Sequence, residues 1–492
     1  MQAGFEAVIG LEVHAEMQTE SKMFCACRVV DTTVTEANTA VCPVCAGMPG
    51  TLPVINQKVV EYALRVALAL DCEIAHTSNF ARKNYFYPDL PKGYQISQYE
   101  QPLAINGSLA IQTSQGECLI RVRRVHIEED TGKLTHINEV HEDGSSEAYS
   151  LVDLNRAGIA LLEIVTEPDM RTAEEACSFA TALRSVLRYL GVNSGNMQKG
   201  VIRFEANVSV RRARSEALNT RVEIKNLNSF RALERSIDYE INRQIKLLRS
   251  GQEVVQETLG WDENRNITFP QRSKEDADDY RYFPEPDLPP LVVSDVWIED
   301  IRANLPELPG ARLQRFQSQY ELSTYDADVL VAEMAVADYF EDAVAAAGDI
   351  SPKMVANWVS GEFFSLMNKT GLTIEDVKIS PQALGSLIRM AVRQEINQNT
   401  AKSVLTEMFD SGLTAEEIVT RYSLRQVSDI DQIAAAVRQV LIDNQEQVAD
   451  YLAGKETLLN WFFGQAMRVA GGRANPQFLR QELERQLKSL KL

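Results

Sequence analysis

A proline-rich stretch near residue 285 divides the chain into two parts of different character. Tyr282–Leu291 reads Y-F-P-E-P-D-L-P-P-L and contains four prolines in ten residues. Proline fixes φ and lacks a backbone N–H, so this stretch favours extended chain and ends regular structure. Strand-like alternation with a few helical runs precedes it, and amphipathic helical runs follow it. We therefore predict an α+β protein with a β-rich domain over residues 1–293 and an all-helical remainder.

The helical remainder is expected to form two parts. Its apolar positions recur at three- and four-residue spacing, and glycines such as Gly412 and Gly454 separate the runs. Pro381–Phe409 is predicted as one such amphipathic unit. A division near residue 405 gives a helical domain over residues 294–405 and a helical tail over residues 406–492.

Composition limits the class of protein and its partners. No run of about 18 apolar residues occurs, so no membrane-spanning helix is expected. The first ten residues lack a basic region and a cleavage site, which favours the cytoplasm. The net charge of −19 argues against broad nucleic-acid affinity, because that affinity depends on Lys and Arg neutralising phosphates. A local basic patch remains compatible with this charge.

The segment G-L-E-V-H at Gly10–His14 is the first candidate for chemistry. On a strand, Glu12 and His14 share one face, while Leu11 and Val13 share the other, apolar face. A carboxylate and an imidazole two residues apart can bind one divalent ion. The alternative is a surface glutamate beside a hydrogen-bonded histidine.

Three further segments carry charged residues at strand spacing. In Arg121–Asp130, one face carries the four residues Arg124, His126, Glu128 and Asp130. In Val201–Arg211, the polar face brings Arg203, Glu205 and Asn207, and the following Arg221–Ser229 brings Arg221, Glu223 and Lys225. Carboxylates bind magnesium, and basic groups bind phosphate oxygens, so these faces predict a site for both. The alternatives are a solvated edge strand and salt-bridged surfaces.

Four cysteines form two close pairs, C-A-C at Cys25–Cys27 and C-P-V-C at Cys42–Cys45. Two such pairs can bind zinc through four thiolates, which leaves no open position and indicates a structural site. The alternative is four reduced cysteines without a metal.

Ala81–Tyr99 is rich in aromatic, proline and basic residues and is predicted to be a loop rather than a helix. Aromatic and basic side chains in a loop suit stacking on a nucleotide or on the end of an RNA. A well-packed loop without a ligand is the alternative. The sequence contains neither a Walker G-x-x-x-x-G-K-[ST] motif nor a Rossmann G-x-G-x-x-G motif. The residues alone therefore indicate an enzyme that handles a metal and phosphate and contains a zinc knuckle.

Together these segments resemble one family, the B subunits of aspartyl/glutamyl-tRNA(Asn/Gln) amidotransferases. The matching segments are V-I-G-L-E-V-H, F-C-A-C, V-C-P-V-C-A-G-M-P-G, R-K-N-Y-F-Y-P-D-L-P-K-G-Y-Q-I-S-Q-Y, H-I-E-E-D-T-G-K, D-L-N-R-A-G-I-A-L-L-E-I-V, T-R-V-E-I-K-N-L-N-S-F and D-Y-R-Y-F-P-E-P-D-L-P-P-L. They stand in the family's order and cover most of residues 5–291. The helical remainder is similar to the family's helical and tail domains, up to the turn G-G-R-A-N-P-Q near Gly471.

The resemblance implies a β-rich cradle domain, a helical domain and a small helical tail similar to YqeY proteins. It implies a glutamine-hydrolysing, ADP-forming ligase of three subunits. The A subunit, an amidase, would release ammonia, and a small C subunit would clamp A and B. The B subunit would use ATP and magnesium to phosphorylate the carboxylate of Glu on tRNA(Gln) or of Asp on tRNA(Asn). Ammonia would then attack the acyl phosphate, while the tail contacts the body of the tRNA.

The resemblance also assigns roles to residues. The expected catalytic residues, which match the family's metal site, are Glu12, His14 and Glu128, and Glu205 is expected to join them as a magnesium ligand. The residues that match the zinc knuckle are Cys25, Cys27, Cys42 and Cys45. We expect ATP to be bound by Lys83, Lys92, Arg203 and Lys225.

The chain departs from the family pattern at two places. Phe204-Glu205 stands where the family commonly has Cys-Asp, so the carboxylate is one methylene longer. The tail loop A-G-G-R-A-N contains fewer basic residues than a tRNA contact suggests. Two other functions compete with this interpretation. One is a non-catalytic RNA-binding scaffold, and the other is a zinc-dependent regulatory protein that binds other proteins.

Overall fold

The computed structural model describes residues 4–140, 146–272, 280–425, 430–471 and 474–490. Asp279, Gly472 and Arg473, which belong to the motifs quoted above, lie outside these ranges. The chain forms two compact units, Met1–Gly310 and Ala311–Leu492. Strands dominate the first unit and helices form the second, so the predicted α+β class is confirmed. In the described part of the chain, no helix has the length and apolar character needed to cross a membrane.

The first unit is built on a large sheet and three small ones. Its strands are β1 (Phe5–Glu16), β2 (Glu73–Ile74), β3 (Thr77–Ser78), β4 (Ala81–Asn84), β5 (Tyr94–Ser97), β6 (Ala104–Thr113), β7 (Gly116–Glu129), β8 (Lys133–Val140), β9 (Ser146–Asp153), β10 (Ala160–Thr166), β11 (Ile202–Arg212), β12 (Val222–Leu227), β13 (Thr258–Asp262), β14 (Ile267–Arg272), β15 (Phe283–Pro284) and β16 (Leu291–Val292). Its helices are α1 (Gln57–Ala69), α2 (Ala173–Tyr189), α3 (Phe230–Arg249) and α4 (Asp295–Ala303). The large sheet has nine strands in the order β14-β13-β12-β11-β1-β10-β7-β6-β2.

One face of the large sheet is apolar and packs against helices. Ile9, Leu11 and Val13 of β1 are at most 1% exposed and belong to the same core as Phe179 of α2 and Leu233 of α3. The helices begin at well-defined caps. Thr172 and Glu175 form a capping box at α2, and the Ser229 side chain accepts a hydrogen bond from an α3 backbone N–H. Because strand side chains alternate, the opposite face is free to carry the polar residues.

The segment Ala81–Tyr99 is not the irregular loop predicted from its composition. Its two ends form strands β4 and β5, which pair with each other, and β15 pairs with β4. The backbone of Phe283 lies opposite Arg82. The proline-rich stretch therefore adds a short edge strand to this hairpin, and the pairing gives the hairpin a regular structure that its own composition does not indicate.

The second unit consists of helices, together with the one that begins at its boundary. They are α5 (Pro309–Tyr320), α6 (Thr324–Val331), α7 (Met334–Ala347), α8 (Pro352–Asn357), a π-helical turn (Trp358–Phe363), α9 (Phe364–Thr370), α10 (Pro381–Val392), α11 (Gln398–Ser411), α12 (Ala415–Arg421), α13 (Ile430–Asp443), α14 (Gln445–Leu452), α15 (Leu458–Val469) and α16 (Pro476–Ser489). The run predicted as one unit over Pro381–Phe409 is two helices. Gln394 has a φ of 59° and the Asn397 side chain caps α11, so the chain breaks between them.

Two hydrophobic cores lie within the second unit. The first gathers buried residues from Phe316 to Val419, and the second gathers residues from Ile433 to Leu487. Leu405, where we placed the division of the helical part, lies inside α11 and is buried in the first core. The predicted domain boundaries stay predictions.

Phe204 offers a test of the sheet–helix packing. Its side chain is fully buried, and its ring centroid lies 6.0 Å from that of Phe230 in α3. We expect Phe204→Ala to lower the free energy of unfolding by about 3–5 kcal/mol, because the deletion leaves a cavity under the sheet. Phe86→Ala is the control, since Phe86 is 84% exposed. Urea denaturation measures both, and equal losses would contradict the packing.

Candidate active site

A cavity of about 330 Å³ lies on the polar face of the large sheet. We call it the acidic cavity, because six carboxylates line it: Glu12, Glu128, Asp130, Glu163, Glu205 and Glu223. Four basic side chains line it as well: Lys83, Arg124, Arg203 and Lys225. The alternation predicted for β1, β7 and β11 brings these groups to one face, since every second residue of a strand points the same way.

Strand register sets the neighbours of each group in the acidic cavity. One row across the sheet consists of Arg203 on β11, His14 on β1, Glu163 on β10 and His126 on β7. The next row places Glu205 on β11 opposite Glu12 on β1. Residues directly opposite on neighbouring strands have side chains in contact range. The cavity floor is therefore a grid of acids, bases and imidazoles.

Glu163 is the centre of this grid. Its Oε2 atom lies 3.3 Å from His14 Nε2 and 3.3 Å from His126 Nε2, and its side chain is 8% exposed. Burial alone raises the pKa of Glu163, but the two imidazoles outweigh it and hold that pKa well below its usual range. Burial lowers the pKa of His14, but Glu163 and then Glu205 outweigh it and raise the pKa to about 9. One carboxylate thus orients two imidazoles.

Two groups of side chains in the acidic cavity have the composition of a divalent-cation site. Their ligand atoms lie within 4.8 Å of one another in each group, and the groups are His14 with Glu128 and Glu163, and Glu12 with Glu205 and Glu223. The four predicted magnesium ligands are thus divided between two neighbouring groups rather than gathered in one. Each group gains a glutamate, Glu163 or Glu223, that we did not predict as a ligand.

Buried carboxylate oxygens show that the acidic cavity suits a cation. The Oε2 atoms of Glu128 and Glu205 are buried and accept no hydrogen bond of good geometry from the described residues. Lysine ammonium groups lie nearby, with Lys83 Nζ 3.7 Å from Glu128 and Lys225 Nζ 2.9 Å from Glu205. Buried charges need compensation by partners or by ions. Carboxylate oxygens are also the ligands that magnesium prefers, so the donor set fits this ion.

Three of the four predicted ATP-binding cations line the acidic cavity. Lys83 and Lys225 do so beside the glutamates described above. Arg203 lies 3.0 Å from Asp130 and 3.6 Å from Glu16. Burial raises the pKa of Asp130, but Arg203 outweighs it and the net pKa is lowered to about 2. Arg203 is thus held in place by ion pairs.

Lys92 lies elsewhere. It pairs with the buried Glu129, the neighbour of Glu128 on the other face of β7, and it lines a separate cavity next to Cys45. We call this the cysteine-side cavity. The structure does not bring Lys92 together with Lys83, although both lie on the same hairpin.

Tyrosines form one wall of the acidic cavity: Tyr85, Tyr99, Tyr280 and Tyr282. The rings of Tyr99 and Tyr282 stack with centroids 4.2 Å apart and planes 6° apart. Lys83 Nζ lies 5.2 Å from the centroid of Tyr280. The hairpin predicted to stack on a nucleotide therefore supplies Tyr85 and Tyr99 to this wall.

The four predicted zinc ligands gather at one place. Their sulfur atoms lie within 4.8 Å of one another, and the cluster could hold a metal ion. Lys22 is fully buried, with its Nζ atom 3.6 Å from Cys45 Sγ. The hydrogen bond from Cys25 lowers the pKa of Cys45 to about 4, against the opposing effect of burial, and Lys22 adds to the lowering. A low thiol pKa favours the thiolate form that binds metals.

Sequence reasoning missed Glu163 as a functional residue. It lies in the otherwise apolar run A-L-L-E-I-V of β10, and a buried strand normally excludes a lone carboxylate unless it has partners. That exception was the available signal. Glu223 was placed on a polar face but not singled out, because only the register with β11 shows that it lies near Glu12.

The Lys92–Glu129 pair predicts a stability effect. Lys92→Met leaves the Glu129 carboxylate buried without its cation, so we expect unfolding to become easier by about 3 kcal/mol. The control is Lys58→Met, which removes an exposed ion pair with Glu61 on α1. Thermal unfolding followed by circular dichroism measures both. A loss no larger for Lys92→Met than for Lys58→Met would show that the buried pair contributes little.

Comparison with known proteins agrees with this geometry. The family model described as the GatB/GatE catalytic domain matches residues 7–299, and the model described as the GatB domain matches residues 338–487. The chain is 50% identical over 483 residues to the aspartyl/glutamyl-tRNA(Asn/Gln) amidotransferase B subunit of Thermoanaerobacter pseudethanolicus, covering 98% of this chain and 99% of that protein. It is 49% identical over 484 residues to the B subunit of Myxococcus xanthus, covering 98% of each chain. The chain therefore belongs to the family of aspartyl/glutamyl-tRNA(Asn/Gln) amidotransferase B subunits, as its motifs predicted.

Proposed function

We propose that this chain is the activating subunit of an ATP-dependent tRNA amidotransferase. It would transfer the γ-phosphoryl group of ATP to the side-chain carboxylate of Glu on tRNA(Gln) or of Asp on tRNA(Asn), with release of ADP. Ammonia would then attack the acyl phosphate, displacing phosphate and leaving the amide. The observation that carries this proposal is the acidic cavity, in a chain about half identical to proteins that bear this name.

The side chains of the acidic cavity suit phosphoryl transfer, which depends on positioning and charge neutralisation more than on covalent chemistry. The residues that would hold magnesium are His14, Glu128 and Glu163 in one group and Glu12, Glu205 and Glu223 in the other. Bound magnesium supplies positive charge against the phosphoryl oxygens. Lys83, Arg203 and Lys225 add fixed positive charge beside the same oxygens. Lys92, which lines the cysteine-side cavity, stays a prediction from sequence.

The carboxylate substrate must be desolvated for this reaction, and the cavity supports that step. Its carboxylates and bases are largely buried, so their charges act through little water. Asn207 donates a hydrogen bond of 2.8 Å to Glu12 Oε1 and so fixes the direction of that carboxylate. A fixed carboxylate and fixed imidazoles hold the reacting groups in place without rearrangement.

The proposal extends to partners, zinc and location. Two partner subunits, an amidase that releases ammonia and a small clamping subunit, would complete the enzyme, and the naming of the relatives as B subunits supports an assembly of several subunits. The four clustered cysteines would hold a structural zinc ion. All seven cysteines are free thiols, which supports a reducing compartment such as the cytoplasm.

The catalytic role of the acidic cavity is tested by removing single carboxylates. We expect Glu12→Gln and Glu128→Gln to lower ADP formation by about 100-fold, because each change removes a charge that would hold the cation during phosphoryl transfer. The assay follows ADP and Gln-tRNA(Gln) in the assembled complex with Glu-tRNA(Gln), ATP and ammonium chloride. Ammonium removes any dependence on glutamine hydrolysis.

Glu117→Gln is the matched control, because Glu117 is an exposed glutamate on the same strand β7. It should form ADP at the rate of the unchanged protein. Full ADP formation by the Glu12 and Glu128 variants would favour the alternative of a scaffold that only positions tRNA. Activity without any need for ATP would overturn the proposal altogether.

The zinc assignment has its own test. Cys42→Ser should abolish the single equivalent of zinc in the purified protein and lower its melting temperature, since a four-thiolate site contributes to folding. Cys118→Ser, at a half-buried cysteine outside the cluster, should keep both. Elemental analysis and thermal unfolding provide the measurements. A Cys42→Ser protein with unchanged zinc content would contradict the site.

A further inference from the structure

A second cavity adjoins the acidic cavity along the same sheet face. It measures about 600 Å³, within the range of roughly 300–1,000 Å³ typical of ligand sites. It follows β1 from Glu12 towards Val8, and the two cavities share Glu12, Tyr99 and Arg124 in their walls. A ligand could therefore extend from one cavity into the other without leaving the sheet face.

The charge of the second cavity is opposite to that of the acidic cavity. Among the described residues its lining contains one carboxylate, Glu12, and three arginines, Arg123, Arg124 and Arg221. We call it the arginine cavity. Arg123 is paired with Glu167 on the sheet, whereas Arg221 is exposed and makes no ion pair with the described residues. The arginine cavity thus suits an anion where the acidic cavity suits a cation.

Gly10 on the floor of the arginine cavity has no structural reason to be glycine. Its φ is not positive, and a Cβ atom added there would lie 3.7 Å or more from the nearest atoms, those of Pro168, Thr166 and Glu167. Contacts of that length are ordinary. Glycine inside a strand weakens the strand, and it is found where packing or a ligand requires close approach to the backbone. Here packing does not require it.

The other glycines within strands of the large sheet do have structural reasons. A Cβ atom at Gly107 of β6 would lie 2.3 Å from Cys72 Sγ, and one at Gly260 of β13 would lie 2.6 Å from Phe269. Gly116, at the start of β7, has a φ of 114°, which favours glycine. The absence of such a reason at Gly10 points to a ligand that lies directly on this part of β1.

The remaining floor and rim are polar without charge. They include Ser209 of β11, Thr166 of β10 and the amides Asn219 and Gln256. Amides and hydroxyls suit the edges of bases and the 2′-hydroxyl of ribose, and Tyr99 offers an aromatic ring at the border with the acidic cavity. Arginine charge, neutral polar groups and an aromatic ring together fit a ribonucleotide.

We propose that the arginine cavity holds the terminal nucleotide of the tRNA acceptor end, a subsite that rests on the proposed function. The ribose would lie over Gly10, with its phosphate at Arg221. The aminoacyl group would pass Glu12 and Tyr99, so that its side-chain carboxylate enters the acidic cavity. The adenosine of ATP has a separate place at the tyrosine wall beside Lys83, on the hairpin side of the acidic cavity.

The first test fills the space over Gly10 in the assembled complex. The probe is 3′-glutamylamino-3′-deoxyadenosine 5′-phosphate, a stable analogue of the charged terminal nucleotide. We expect Gly10→Val to raise the inhibition constant of this analogue about tenfold, by occupying its site, while the KM for ATP stays unchanged. Gly10→Ala, which fits without a clash, should give a smaller change in the same direction. Thermal unfolding should show both variants at least as stable as the unchanged protein, since glycine destabilises a strand.

The second test removes the exposed cation. Arg221→Ala should weaken binding of Glu-tRNA(Gln) and lower the steepness of its salt dependence by about 0.7, the contribution of one phosphate contact on a single strand. Arg231→Ala is the matched control, because Arg231 is an exposed arginine on α3, against the other face of the sheet. It should leave the salt dependence unchanged. A structural defect would weaken binding without this change in slope.

Three outcomes would overturn the subsite. The first is a Gly10→Val protein with a raised KM for ATP and an unchanged inhibition constant, which would assign the arginine cavity to ATP. The second is a Gly10→Val protein in which neither constant changes, and the third is an Arg221→Ala protein that keeps the full salt dependence. Failure of the proposed function looks different, because the unchanged complex would then form no amide, and calorimetric binding of the analogue to it would still test the cavity directly.

Discussion

The Glu163 carboxylate lies 3.3 Å from the Nε2 atoms of both His14 and His126, deep in the sheet face. A buried carboxylate is costly unless it is paired, and the two imidazoles with Arg124 at 3.8 Å supply that pairing. The three strands that carry these groups must therefore keep their register. The neighbouring acids and bases are ordered by the same register, so the geometry of the acidic cavity depends on this central contact.

The apolar face of the same strands enforces that register from the other side. Leu11 and Val13 alternate with Glu12 and His14 along β1, and both apolar residues are buried against the helices. A slip of one residue would turn the carboxylate and imidazole into the core and the apolar residues into the cavity. Packing of the core and placement of the charged groups are thus one requirement. This explains how a face with six carboxylates can persist in a stable sheet.

Alternation within a strand could be predicted from the sequence, but contacts between strands could not. Arg124, His126, Glu128 and Asp130 do share the cavity face of β7, as their spacing indicated. The division of the predicted magnesium ligands into two groups follows from register alone, which no single segment contains. Lys83 and Lys92 show the same limit, since the turn of their hairpin sends one ammonium to Glu128 and the other to Glu129.

The segment Gly10–His14 gathers these constraints into five residues. Leu11 and Val13 hold the strand in the core, while Glu12 and His14 each join a different group of possible cation ligands. Gly10 continues the cavity face by one more alternation but contributes no side chain, and that opens the floor of the arginine cavity. Any side chain there would project from the sheet between the two cavities. The strand that carries the ligands thus also leaves room for what they act upon, and the absence of a side chain is as much a part of the site as the carboxylate two residues further on.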